Sequence, residues 1–236
     1  MILKGRLGLL FQMLPQGRCL LDVGTDHALI PAAAVQAGLF PRAVATDIRP
    51  GPLARAERTI HKHALEDRVT LLLGAGFAPV APGLCDVLVL AGMGALMIAG
   101  ILEAHPEVAR QASCLLLQPM HAQERLRPWL RANRYEILDE QLAEEGDKRY
   151  QVLAVRYCPA LRVPATRSDL EWEVLDRLGE GMLRRGGPVA HRWAADWTTR
   201  QARIAEGLRR AGREGEALAA EALLAALKAA AAGMNP

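Results

Sequence analysis

The chain has 236 residues, 51% apolar and 23% charged, which suits one α/β domain of about 150 residues plus a smaller appendage, with a core that needs no staples. A net charge of +3 is too small to establish a nucleic-acid partner by itself. No stretch approaches the ~20 uninterrupted apolar residues of a membrane span.

The N-terminal run MILKGRLGLLFQML is broken by Lys4 and Arg6 and lacks a cleavage site, so it reads as a helix and not as a signal peptide. Strand-like runs follow at Cys19–Val23, Ala43–Ile48, Val69–Leu73, Asp86–Gly92 and Cys114–Pro119. They are nearly continuous in apolar residues, as strands buried on both faces of a parallel sheet must be, and the spacers are long enough for crossover helices. Tyr135–Leu142 and Tyr150–Tyr157 are joined by a polar stretch too short for a helix, which predicts an antiparallel hairpin. The expected fold class is α/β, a class I methyltransferase Rossmann-like sheet of parallel strands with a C-terminal antiparallel hairpin. A dehydrogenase would continue with another βαβ unit.

Past the proline-containing linker CPALRVPATRS the strand signal stops. Leu170, Val174, Leu175, Leu178 and Met182 form one helical stripe, ended by Gly186-Gly187-Pro188. Val189, Trp193, Trp197, Ile204 and Leu208 form a second, and an alanine-leucine tail follows from Ala217. The expected division is therefore 1–158 for the α/β domain and 163–236 for a small helical, coiled-coil-like domain. Trp193 and Trp197 are expected in its core. The four cysteines, Cys19, Cys85, Cys114 and Cys158, show no CxxC spacing, which predicts buried thiols in a reducing, cytoplasmic setting.

Chemistry concentrates where the parallel strands end. Asp22, Gly24, Thr25, Asp26 and His27 follow the first strand at the carboxyl edge, where open α/β sheets bind ligands. A dinucleotide would require a glycine-rich loop here, because backbone amides must approach the pyrophosphate. Two carboxylates in place of those glycines repel phosphate and favour a cationic ligand, S-adenosylmethionine, over NAD. Asp47, with Ile48 beside it, ends the second strand, where an acid can bind ribose hydroxyls or cap the next helix. Gly74, Ala75 and Gly76 follow the third strand, with backbone contact to adenine or packing by Phe77 as the options. Ala91, Gly92, Met93 and Gly94 close the fourth strand and allow a close backbone approach. Gln118 and Pro119 leave the fifth at the same edge, where the Gln118 amide could hydrogen-bond a nucleobase, and Lys148 and Tyr150 stand at the hairpin, either as contacts for RNA phosphate or a base or simply to solubilise the turn. No histidine spacing is tied to acids, so no metal is expected.

Together these segments resemble the TrmK family, bacterial tRNA (adenine-N1)-methyltransferases acting at position 22. The resemblance rests on GTDHALIP, DIRPGPLARA, LAGMGALMIAGIL, LLLQPMHAQERLRPWLRANRYEI and EQLAEEGDKRYQV, in that order from about Arg6 to Tyr157. It departs from the family pattern at Ala95 for glycine, Ala75 for an acid and Arg134 for glycine. The resemblance implies S-adenosyl-L-methionine as cofactor, tRNA as partner, a tRNA-binding helical tail, and transfer to adenine N1, whose in-plane lone pair needs no covalent catalyst. Asp26 is then the candidate catalytic residue, as a stabiliser of the charge passing onto the base or as acceptor of an amine proton. Its alternatives are orienting His27 or binding the methionine ammonium. A monomer is the expected state. The competing functional readings are a Rossmann-type methyltransferase for another RNA or small molecule, an inactive nucleic-acid-binding adaptor, and an NAD-linked oxidoreductase.

Overall fold

In the computed structural model, which describes residues 1–235, the apolar runs become one seven-stranded sheet. Helix α1 (Gly5–Gln12) precedes β1 (Cys19–Val23), α2 (Leu29–Gln36), β2 (Arg42–Asp47), α3 (Pro50–Lys62) and β3 (Val69–Leu73). Then come β4 (Val87–Met93), α4 (Ala95–Ala104), the short α5 (Pro106–Ala109), β5 (Cys114–Pro119), α6 (Leu126–Ala132), β6 (Tyr135–Glu145) and β7 (Lys148–Tyr157). The strand order is β3-β2-β1-β4-β5-β7-β6, with β1 to β5 parallel to their neighbours and β7 antiparallel to β5. This is the Rossmann-like class I arrangement that the strand series predicts. Its order reverses between β1 and β4, the switch point where ligands bind.

Alternation along the central strands builds two cores. Leu20, Val87, Val89 and Leu116 face one side, packed with Leu10 of α1, Val35 of α2 and Ile60 of α3. Leu21, Val23, Leu88, Leu90, Leu115 and Leu117 face the other, packed with Ile98 of α4 and Leu130 of α6. Strand bounds match the expectation closely. The hairpin strands are longer than expected, because Gly146 takes a left-handed φ of +58° in a turn reduced to Gly146-Asp147.

The chain divides into two compact units, Met1–Asp139 with Ala143–Leu161, and Glu140–Leu142 with Arg162–Pro236. The second unit contains α7 (Asp169–Leu178), α8 (Glu180–Arg185), α9 (Pro188–Arg210) and α10 (Glu214–Ala232). Ser168 opens α7 with a reciprocal capping box, its hydroxyl accepting from the Glu171 amide while the Glu171 carboxylate accepts from the Ser168 amide. The stripe expected to run from Leu170 to Met182 in one helix is broken at Gly179, whose φ of +86° ends α7 and starts α8. The second stripe also differs. Ile204 is 43% exposed, and the buried line instead runs Trp193, Trp197, Gln201, Ala205, a strict fourth-residue repeat. Gln201 is tolerated there because its amide donates to the Ala220 carbonyl of α10 at 3.1 Å. Trp193 and Trp197 meet edge to face, 5.9 Å between centroids, within the core expected for them. The alanine-leucine tail forms α10. Among the described residues no helix is long and apolar enough to cross a membrane.

Trp197→Ala is expected to lower unfolding free energy by about 3–5 kcal/mol, whereas Ile204→Ala costs under ~0.5 kcal/mol. Urea denaturation followed by circular dichroism measures both, and equal costs would contradict this assignment of the stripe.

Candidate active site

Strand β1 ends because Gly24 enters the left-handed region at φ +72°, turning the chain out of the sheet. The amides of Gly24 and Thr25 both donate to the Thr46 carbonyl on β2, at 2.8 and 2.9 Å. The Thr25 hydroxyl then accepts from the Ala28 amide at 3.1 Å, steadying the start of α2. A Cβ on Gly24 would meet Met93 Cε, the movable end of that side chain, so it is the left-handed φ more than the space that favours glycine here. On β4, Gly92 turns at φ +76° and donates its amide to Gln118 Oε1 of β5 at 3.0 Å.

These turns enclose a cleft of about 380 Å³, lined by Arg6, Leu7, Asp22, residues 24–30, Arg49, Ala91, Gly92 and Gln118. That volume lies within the roughly 300–1,000 Å³ of small-molecule sites. Asp22 is 8% exposed, and burial pushes its carboxyl up to about 6; the Thr25 hydroxyl opposes that rise and the nearby Asp47 charge adds to it. Asp26, on the cleft wall, is the reverse case. It stands in solvent, ion-paired with the Arg55 guanidinium and 3.3 Å from His27 Nε2. The Arg55 hydrogen bond holds Asp26 below the usual carboxylate range, which makes it a persistent negative charge and a poor proton acceptor.

The other expected residues divide in three. Thr25, His27, Ala91 and Gly92 line the cleft with Asp22, Gly24 and Asp26. Met93 borders it only through its contact with Gly24. Gln118 lines it too, but its amide is committed: Oε1 accepts from Gly92, and Nε2 donates to the Pro119 carbonyl at 3.2 Å. It fixes the Gly92 turn and is not the free base-reading amide expected from the sequence. A second group stands outside the lining. Asp47 is buried, accepting the Arg49 amide at 2.8 Å just before α3, and its charge still reaches Asp22. Ile48 is 69% exposed. Gly74, Ala75 and Gly76 form the loop after β3, with the Gly76 carbonyl accepting from the Thr46 hydroxyl at 3.2 Å. Phe77 is fully buried core and not a free packing surface. The third group is used elsewhere. Pro119 pairs with Met93 inside the sheet, Gly94 lies against the His121 ring, and Lys148 is exposed on the hairpin. Tyr150 is covered by Arg6, whose guanidinium lies 5.5 Å from its ring centroid.

Arg6 is what the sequence reading missed. It reaches the cleft from α1 while its Nη1 lies 3.3 Å from Met120 Sδ. A thioether and a ring face are weak partners for a guanidinium, which leaves donors for an anionic ligand group. Nothing local marked it, since it lies far from Asp22 in sequence and counted only as one of several basic residues. Arg49, two residues past Asp47 and 3.7 Å from its carboxylate, also lines the cleft. Among the described residues no group of three or more His, Cys, Asp or Glu is placed to hold a metal ion.

The geometry agrees with what comparison finds. The model of the "Methyltransferase domain" family matches residues 3–153. The chain belongs to this methyltransferase family. Within that span it is 35% identical over 151 residues to the tRNA (adenine(22)-N(1))-methyltransferase of Bacillus subtilis, covering 64% of this chain and 63% of that relative. The aligned stretch thus spans just under two thirds of that relative's length. A Streptococcus pneumoniae structure in complex with S-adenosyl-L-methionine superposes with TM-score 0.81 at 27% identity, over 96% of this chain and 98% of that one. The B. subtilis m1A22 tRNA methyltransferase TrmK shares the fold, with TM-score 0.83 at 24% identity over 98% and 100%. The motif resemblance to the TrmK family is borne out, and it extends over the helical unit as fold.

Asp22→Asn is expected to stabilise this methyltransferase domain. The Asp22 carboxyl is raised in the fold, so its contribution to stability is fully present below pH 3.8 and is lost as pH rises through about 6. At pH 8 the variant should therefore be more stable by up to roughly 3 kcal/mol, a gain that vanishes near pH 4. Thermal melts of both proteins across that range check the sign.

Proposed function

We propose that this protein transfers the methyl group of S-adenosyl-L-methionine to N1 of an adenine in tRNA, at position 22. The observation that carries the reading is the buried Asp22 carboxylate facing a cleft between two glycine turns at the sheet's switch point. A carboxylate forced out of water and still largely ionised at neutral pH calls for a cationic partner, and the α-ammonium of the cofactor is one. Arg6, which lines the same cleft, suits the carboxylate of the same amino-acid group. The zwitterionic methionine end thus finds both of its complements. Asp47, at the end of β2, is the candidate for the ribose hydroxyls, which would compete with the Arg49 amide for its carboxylate.

When bound, S-adenosylmethionine supplies a methyl group on a positively charged sulfur, reactive toward a ring nitrogen lone pair. The chain's part is alignment and charge. The Gly24 and Gly92 turns keep Cβ atoms out of the approach, and Gln118 holds the second turn in place. Asp26, kept ionised by Arg55, stabilises the positive charge that moves onto adenine. Its lowered basicity favours this electrostatic role over proton abstraction. Support for tRNA comes from the second unit as well as from the relatives' names. Arg192, Arg203 and Arg210 are exposed in line on α9 opposite its buried stripe, roughly 16 and 10 Å apart along the axis, a row of cations suited to a phosphate backbone. A tRNA substrate places the work in the cytoplasm.

The decisive assay is methyl transfer to unmodified tRNA with the modified base mapped; modification of a different nucleoside, or none, overturns the proposal. Asp26→Ala is expected to keep cofactor affinity within about threefold while lowering methyl transfer at least ~100-fold. Asp22→Asn should instead lose cofactor affinity, and wild-type affinity should fall as pH drops below about 6, as calorimetry with S-adenosylhomocysteine would read. Arg203→Glu with Arg210→Glu should weaken tRNA binding and reduce its salt slope by about 2, with cofactor affinity unchanged.

A further inference from the structure

At the opposite, amino-terminal edge of the sheet, Cys19 begins β1 and Cys85 stands in the loop entering β4, with their sulfurs 3.1 Å apart. Register explains the meeting. Leu20 pairs with Val87, so Cys19 is level with Asp86, and both thiols face the core shared by Leu21 and Leu88. We infer that Cys19 and Cys85 form a modification site, an intramolecular disulfide made by peroxide and undone by thiol reductants.

Four features favour closure here. A movement of about 1 Å brings the sulfurs to the ~2.05 Å of a bond. The backbone on either side is already tied, since the Asp86 carboxylate accepts the amides of Arg18 and Cys19, the latter at 2.8 Å, and the Asp86 amide donates to the Cys19 carbonyl at 3.1 Å. The bond therefore requires little chain movement. The Cys85 hydrogen bond, assisted by the Arg42 guanidinium at the start of β2, pulls the Cys19 thiol below its ordinary value despite burial, while Cys85 is pushed up. One sulfur thus supplies the nucleophile and its neighbour the resolving thiol. Finally, exposed Arg18 and Arg42 mark this sheet edge as close to the surface, while burial of both sulfurs closes them to bulky reagents.

The Cys19 thiolate attacks one oxygen of hydrogen peroxide, breaking the O–O bond and leaving a sulfenic acid, while the departing hydroxide is protonated to water. Cys85 sulfur then attacks the sulfenyl sulfur; the S–S bond forms, the S–O bond breaks, and the second hydroxide takes the Cys85 proton. Two thiols lose two electrons and two protons, and one peroxide becomes two waters. The link joins the two central strands at the end remote from the cleft, closing a 66-residue separation in sequence. It staples the sheet without touching Asp22, Gly24 or Gly92. Cys114, alone and pushed up to about 11 by burial, and Cys158, in a different place, have no such partner within the four thiols.

The full chain is treated with excess hydrogen peroxide, alkylated, unfolded, and examined by intact mass and peptide mapping. The expected result is a mass lower by two hydrogens, a linked Cys19–Cys85 peptide, and a melting temperature higher by roughly 5–15 °C that dithiothreitol reverses. Cys158→Ser should keep all three signatures, and Cys85→Ala should lose the link and add oxygen to Cys19. A sulfinic Cys19 without linkage in the wild-type chain, or a link between any other cysteines, overturns the inference. So does a pair that stays reduced while Cys158 oxidises. The wild-type map decides even if Cys85→Ala does not fold, and none of these outcomes depends on the methyl-transfer reading.

Discussion

The Thr46 carbonyl at the end of β2 receives two amides, those of Gly24 and Thr25, and this shared acceptor forces the chain out of the sheet immediately after β1. Had β1 continued, Asp22 would lie in the middle of a strand, walled in by apolar neighbours. Stopped there, its carboxylate lies at the rim of an opening, still short of water but able to meet a ligand. The close approach of Met93 to Gly24 and the Gly92 turn held by Gln118 complete the opening from the β4 side. The cleft is thus a consequence of two strands ending early side by side, at the one place where the sheet's winding reverses.

Within that opening, position separates two carboxylates that are only a few residues apart. Asp22 is desolvated and pushed toward neutrality, while Asp26 is solvated, paired with Arg55, and held ionised. Burial makes the first a demanding partner for a cation; exposure makes the second an enduring charge on the cleft wall. Arg6 and Arg49 add cations to the same wall, so the cleft offers both signs to one ligand, which suits a zwitterion better than a polyphosphate.

The same burial that stabilises the sheet brings Cys19 and Cys85 together at its far end, where no ligand chemistry is needed. The second unit follows its own rule. A fourth-residue repeat of tryptophan, glutamine and alanine fills its core, leaving the opposite side of α9 to charged residues, arginine prominent among them. Each unit therefore turns its apolar residues inward and leaves charged side chains outside.

Apolar runs and their spacers were sufficient to predict the parallel sheet, the hairpin and the helical tail, because strand and helix periods are local properties. The carboxylate-bearing loop after β1 was legible for the same reason: its composition alone opposes a phosphate ligand. The roles of Gln118, Phe77, Gly94 and Tyr150 were not legible, since each depends on what a distant segment places against it: the Gly92 amide, the core, the His121 ring and the Arg6 guanidinium. The break at Gly179 and the shift from Ile204 to Ala205 likewise depended on packing, which overrides a weak stripe. Arg6 and the Cys19–Cys85 pair were invisible because they join residues that only sheet pairing makes neighbours. The sequence by itself determined the elements and the sign of the site's charge; only tertiary structure decided which of those charges is buried, because desolvation depends on every segment that packs around it.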